Sequence, residues 1–176
     1  MSDIQIKELN ASIYTGKQFV VEYETDGYFD LIKEDFSFTF VFKKLAKVEK
    51  RGFKDKMCAQ WLNDPHLFGA FSNDKLVGFI ETSKEEWNSR LRVSNILIEK
   101  EYRHLKIGTK LMERVKKYAK DNGFRQIVLE TQSCNVNAIK FYLKNGFSII
   151  GLDAYSYSNE DIEKHEVRME LGYIIK

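Results

Sequence analysis

Hydrophobic and polar positions alternate along the first part of the chain and recur at longer spacings along the second. Ile4 and Ile6 mark a short strand, and Phe19, Val21 and Tyr23 alternate as on a half-buried strand. Asp26-Gly27 reads as a turn. Phe36, Phe38, Phe40 and Phe42 occupy every second position, which predicts a strand with all four rings on one side. A core face is the favoured reading of that row, and a pocket wall is the other. Met57, Trp61 and Leu62 predict a short helix over 54–63, stopped by Asp64-Pro65.

The second part is more regular. Two apolar runs, 67–71 and 76–81, flank Ser72-Asn73-Asp74-Lys75 and predict a hairpin. Residues 91–98 form another apolar strand. Leu111, Met112, Val115, Tyr118 and Ala119 share one helical face between Gly108 and Asn122, and Gly123 is the expected stop. A strand over 126–131 follows. Ala138, Phe141, Tyr142 and Asn145 then repeat at helical spacing up to Gly146, before strands over 147–152 and through Val167, Met169, Leu171 and Tyr173. Strands interleaved with helices predict an α/β (α+β) fold in one domain over 1–176, with helices on a sheet.

Composition narrows the class. With 176 residues, 43% of them hydrophobic, the chain can bury a core and is not a disordered segment. No apolar run approaches the roughly 18 residues of a membrane helix. The first ten residues lack the basic and apolar regions of a signal peptide, so the expectation is a cytoplasmic protein. A net charge of +2 gives no reason to expect nucleic acid. Acidic residues Glu22, Glu24, Asp26, Asp30, Glu34 and Asp35 precede a basic run from Lys43 to Lys56. Two solvated faces are the plain reading, and an acidic surface for a cationic substrate is the sharper one. His66, His104 and His165 are scattered, so no metal site is expected, and Cys58 and Cys134 read as free thiols.

Two segments carry chemistry. Tyr102-Arg103-His104-Leu105-Lys106-Ile107-Gly108-Thr109 joins a strand to a helix. A chain entering a helix presents free N–H groups and the positive end of the helix dipole, which suits a pyrophosphate. The second segment runs from Asn135 to Phe147. Its Asn135, Ala138, Phe141, Tyr142, Gly146 and Phe147 complete the pattern Asn-x-x-Ala-x-x-Phe-Tyr-x-x-x-Gly-Phe.

Together the two segments resemble the GCN5-related N-acetyltransferase (GNAT) superfamily, whose first motif is Arg/Gln-x-x-Gly-x-Gly/Ala. Arg103 and Gly108 match that motif, while Lys106 stands where the family has its first glycine. Trp87-Asn88, Leu129-Glu130-Thr131-Gln132, Asp153 and Tyr157-Ser158-Asn159 look like streptothricin acetyltransferases over roughly residues 67–160. The resemblance implies a mixed, mostly antiparallel central sheet with helices on both faces and a cofactor-binding core at about 67–152. It implies an enzyme that moves the acetyl group of acetyl-CoA onto the primary amine of a small cationic molecule. Leu97 and Ile98 would meet the pantetheine arm. Arg103, His104, Leu105, Lys106, Ile107, Gly108 and Thr109 would cradle the pyrophosphate, and Asn135 and Ala138 would contact the cofactor. Tyr142 would protonate the departing thiolate, and a backbone N–H near Leu97 would hold the oxyanion. Many relatives are dimers, which leaves a homodimer open.

The general base is where the chain departs from those relatives. They carry an acidic pair on the central strand, and this chain has Ser94-Asn95 there. Glu130 is the first substitute, with Glu81 or a chain of waters as alternatives. A protein or peptide N-acetyltransferase and a non-catalytic acyl-CoA-binding module stand as competing readings.

Overall fold

The computed structural model describes residues 4–176. Its elements in chain order are β1 (Ile4–Leu9), α1 (Ala11–Tyr14), β2 (Gln18–Glu34), β3 (Ser37–Lys56), β4 (His66–Ser72), β5 (Lys75–Glu85), β6 (Arg90–Ile98), α2 (Ile107–Asp121), β7 (Gln126–Gln132), α3 (Val136–Lys144), β8 (Ser148–Asp153) and β9 (Arg168–Ile174). Seven strands hydrogen-bond in the order β1-β4-β5-β6-β7-β9-β8, and β2 and β3 form a separate two-stranded ribbon. The pairs β1/β4, β4/β5, β5/β6 and β8/β9 are antiparallel and β6/β7 is parallel. This is the mixed, mostly antiparallel sheet that the family resemblance implies.

The chain divides into two compact units. The first comprises, among the described residues, 4–19, 54–129 and 173–176. Its core is the apolar face of α2, formed by Ile107, Leu111, Met112, Val115 and Ala119, lying on β1, β4, β5 and β6. Leu67, Phe68, Val77, Ile80 and Leu91 are buried in the same unit. Each large side chain removed from water contributes about 1.5–3 kcal/mol, so this stripe anchors the helix. Gly123 ends it at φ 72°, as the sequence predicts. The β4–β5 turn also falls where expected, with Asn73 and Asp74 both at positive φ.

The second unit comprises residues 20–53 and 130–172. Val136, Ile139 and Tyr142 form the buried side of α3, and Phe147, Val167, Met169 and Leu171 are buried in the same unit. The loop after β8 closes around Asp161, a fully buried carboxylate that accepts hydrogen bonds from the Tyr157 N–H at 2.8 Å and the Ser158 hydroxyl at 2.7 Å.

Three expectations for the first part are corrected. Asp26-Gly27 is not a turn: β2 runs through it to Glu34. A Cβ at position 27 would lie 2.6 Å from the Lys43 carbonyl oxygen and 2.6 Å from the Phe42 ring, so the glycine serves a close strand approach. The phenylalanine row does lie on a strand but not on a core face: Phe36 sits fully exposed at the ribbon's turn, and Phe38 and Phe42 are about half exposed. No helix forms over 54–63. The Met57 N–H and C=O pair with Lys17 and Gly16, and the Cys58 N–H is taken by Glu81, so the donors a helix would need are committed to neighbouring chain.

Candidate functional site

In the first unit, a 3-10 turn over Lys100–Tyr102 leads into the loop that opens α2. His104 and Lys106 both have left-handed backbones, at φ 66° and 60°. Lys106 is the N-cap, and its carbonyl accepts the Lys110 N–H at 3.1 Å. A lysine thus holds a backbone conformation that glycine adopts without strain, at the place where the family motif has its first glycine. Strain of about 1–2 kcal/mol accompanies that backbone in a residue with a side chain. Gly108 lies within the first turn of α2 and lacks a positive φ, so its contribution is the missing side chain rather than backbone freedom. Thr109 and Lys106 are exposed and Ile107 is buried, which leaves the helix mouth facing solvent.

β6 pairs with β7 only over Arg90–Arg92, so from Val93 onward it pairs with β5 alone. Gly78 faces Ile98, and the Glu99 N–H donates to the Val77 carbonyl at 2.9 Å. The antiparallel alternation then turns the Leu97 N–H and C=O toward Phe79, and those of Ile96 and Ile98 toward the open edge. Of the two strand residues that the resemblance names, Ile98 presents its backbone outward and Leu97 does not; the other outward-facing residue is Ile96. The reason is a strand's two-residue period, whose phase is set by pairing and not by composition. Arg103 ties the loop to this edge, its Nε donating to the Ile98 carbonyl at 3.2 Å.

Glu81 on β5 lies opposite Asn95 on β6, beside a register shift between Glu81 and Thr82. It is 0% exposed. Its Oε1 accepts the Cys58 N–H at 2.6 Å and its Oε2 accepts the Asn95 Nδ2 at 2.8 Å. Next to them the Ser83 and Ser94 hydroxyls share a hydrogen bond of 3.1 Å.

In the second unit, Asn135 caps α3: its Oδ1 accepts the Ala138 N–H at 3.3 Å. Tyr142, two turns on, is buried beside the Phe141 and Phe147 rings. Burial pushes its phenol up to about 12, so it keeps its proton through the neutral range. Glu130 is ion-paired with Arg168, whose same Nη2 also meets Glu170. Burial, with Glu130 adding to it, raises the Tyr157 phenol.

The composition gave no sign of a further cluster in this unit. Arg51 Nη1 donates to Glu166 at 2.9 Å and to the Cys134 sulfur at 3.3 Å, and the Tyr23 hydroxyl lies 3.5 Å from that sulfur. Burial raises the Cys134 thiol, and it is a free thiol as read from the sequence. A cavity of about 540 Å³ lies beside this cluster, with Tyr23, Arg51, Gln132, Glu163 and Glu166 in its wall. Glu22, Glu24 and Asp26 are exposed on β2, whereas Val21, Tyr23 and Thr25, between them in the alternation, are not. Those acids therefore belong to the face of β2 opposite Tyr23 and its cavity, which fits the plain reading of a solvated row.

The sequence model described as the acetyltransferase (GNAT) family matches residues 20–147. A streptothricin acetyltransferase of Escherichia coli is 33% identical over 106 residues, 60% of this chain and 60% of that one. The chain thus matches less than two thirds of that relative's length. Among solved structures, nourseothricin acetyltransferase superposes with a TM-score of 0.81 at 23% identity, covering 98% of this chain and 99% of that one. A putative streptothricin acetyltransferase from Bacillus anthracis str. Ames, solved in complex with acetyl coenzyme A, gives a TM-score of 0.77 at 23% identity and 99% coverage of both chains. At that identity the two structures speak for the fold.

Proposed function

This chain belongs to the GNAT acetyltransferase family, and on that premise we propose that it transfers an acetyl group from acetyl-CoA to a primary amine of a small cationic molecule of the streptothricin type. The observation that carries the reading is the mouth of α2: a left-handed Lys106 opening a fifteen-residue helix whose first N–H groups have no partner within the helix. Successive N–H groups in such a turn form a concavity for an anion, and Arg103 and Lys106 add charge. The donor set thus suits a pyrophosphate, which we assign to Arg103, His104, Leu105, Lys106, Ile107, Gly108 and Thr109.

Acetyl-CoA supplies an activated thioester and an arm bearing amide groups. The outward N–H groups of Ile96 and Ile98 are the strand partners such an arm requires, and one of them is the donor for charge developing on the carbonyl oxygen. Asn135 and Ala138 belong to the cofactor-facing start of α3. We assign Tyr142 as the proton donor to the leaving sulfur: a phenol still protonated at neutral pH has its proton available. Glu130 is assigned to take the amine's proton. Arg168 bridges Glu130 and Glu170, so its charge stays compensated by Glu170 when Glu130 is neutralised. Glu163 and Glu166 in the cavity wall are offset by Lys50, Arg51 and Lys164, with Glu166 paired to Arg51, so the cationic character of the acceptor rests on the likeness to streptothricin acetyltransferases.

A coenzyme A release screen tests this. Streptothricin, aminoglycosides and peptides with free N-termini are offered with acetyl-CoA. Release driven by streptothricin or an aminoglycoside is the expected result. Release driven by peptides alone makes this a peptide acetyltransferase, and acetyl-CoA binding without release to any amine makes it a binding module. Glu130→Gln is expected to alter the pH–rate profile where the base acts, and an unchanged profile removes Glu130 from that role.

A further inference from the structure

A carboxylate that is fully buried, takes two hydrogen bonds and has no ion-pair partner among the described residues costs a fold stability unless those bonds do something else. Glu81 is such a group. One of its oxygens holds the Cys58 N–H and thereby the chain that leaves the ribbon. The other holds the amide nitrogen of Asn95, a half-buried residue on the stretch of β6 whose far edge is unpaired.

That second bond fixes the sense of the amide. A carboxylate accepts and does not donate, so Asn95 must turn its Nδ2 to Glu81 and carry its Oδ1 on the other corner of the amide plane. Among the described residues nothing donates to that oxygen. We propose that Asn95 Oδ1 is the hydrogen-bond acceptor that receives the N–H of the incoming amine, and that Glu81 is the positioning residue that sets the amide's orientation. This deepens the proposed function and rests on it, since the amine must reach the thioester along the open edge of β6. A neutral carbonyl here has a chemical consequence. It orients the amine without stabilising its protonated form, as a carboxylate would, and the attacking amine must be neutral.

The test exchanges the two chemistries. In Glu81→Gln the introduced amide keeps an oxygen for the Cys58 N–H and turns its nitrogen to position 95. Asn95 must then flip and show the amine a donor in place of an acceptor. Adding Asn95→Asp restores an acceptor on both sides. With streptothricin as probe, Glu81→Gln is expected to raise its KM about tenfold, the value of one hydrogen bond. The acetyl-CoA Kd, read by calorimetry, should stay within about twofold. Glu81→Gln with Asn95→Asp is expected to bring KM back to within about threefold of the starting protein when assayed at a pH above the amine's own pKa, where a carboxylate at position 95 has no protonated amine to stabilise. Independently of turnover, the Asn95 side-chain NH2 resonance is expected to move in Glu81→Gln. An active starting protein whose KM ignores Glu81→Gln, or a double variant no better than the single, overturns the assignment. A starting protein that binds acetyl-CoA and acetylates neither streptothricin nor any other amine overturns the proposed function, and this inference with it.

Discussion

Lys106 stands left-handed at φ 60° and accepts, through its carbonyl, the N–H of Lys110 at 3.1 Å, so the first hydrogen bond of α2 is closed by a strained residue. Position 106 needs this backbone whatever the side chain. Lys106→Val should cost about 1–2 kcal/mol, because a β-branched residue tolerates positive φ worse than lysine. Lys106→Gly should hold stability within about 1 kcal/mol, since relief of strain is offset by the freedom glycine has when unfolded. It should weaken acetyl-CoA binding by no more than about fivefold, the share of one exposed charge, because the turn and Arg103 remain. Urea denaturation and calorimetry check both. A glycine variant that loses far more affinity would mean the lysine charge matters more than the turn.

Tyr142 ties alkaline stability to the proposed acid. An unfolded tyrosine ionises near 10, and the buried one only at about 12. Between these values the unfolded chain has released a proton that the folded chain keeps, so unfolding gains as pH rises. The stability is intact below pH 10 and is lost as pH climbs through about 12, in total about 3 kcal/mol. Tyr142→Phe should remove that share of the slope in denaturation curves between pH 10 and 12. It should also lower kcat about a hundredfold at neutral pH. A variant with full kcat would leave Tyr142 as a core aromatic only.

Asn135 has two roles that one pair of substitutions separates. Asn135→Ala removes the cap on Ala138 and should cost about 1 kcal/mol in thermal or urea unfolding. Asn135→Asp retains an oxygen for the cap and should keep stability. A new negative charge should nevertheless weaken acetyl-CoA binding, measured by calorimetry. Equal affinity in both variants and the starting protein would confine Asn135 to capping.

Gly27 tests the ribbon. A methyl group there meets backbone at 2.6 Å, so Gly27→Ala must push β2 and β3 apart or shift them. The expected loss is about 1–3 kcal/mol. A neighbouring change at exposed Glu24, to Gln, should be silent. Unfolding curves of the two variants give the comparison.

Local physics is what the sequence determined by itself. The α2 stripe, the spacing and stop of α3, the Asn73-Asp74 turn and the two spaced motifs all rest on contacts within a few residues. Their spacing therefore survives into the structure unchanged. The tertiary structure decided whatever depends on a distant strand. Gly27 looked like a turn because its neighbour across the ribbon, sixteen residues on, cannot be seen in the pattern. Met57–Leu62 looked like a helix because the competing partners of its N–H groups lie at Lys17 and Glu81. The phase of β6, which opens Ile96 and Ile98 and closes Leu97, and the bond from Glu81 to Asn95 are facts of pairing register. Register is fixed only when two strands meet, and no one-dimensional period contains it.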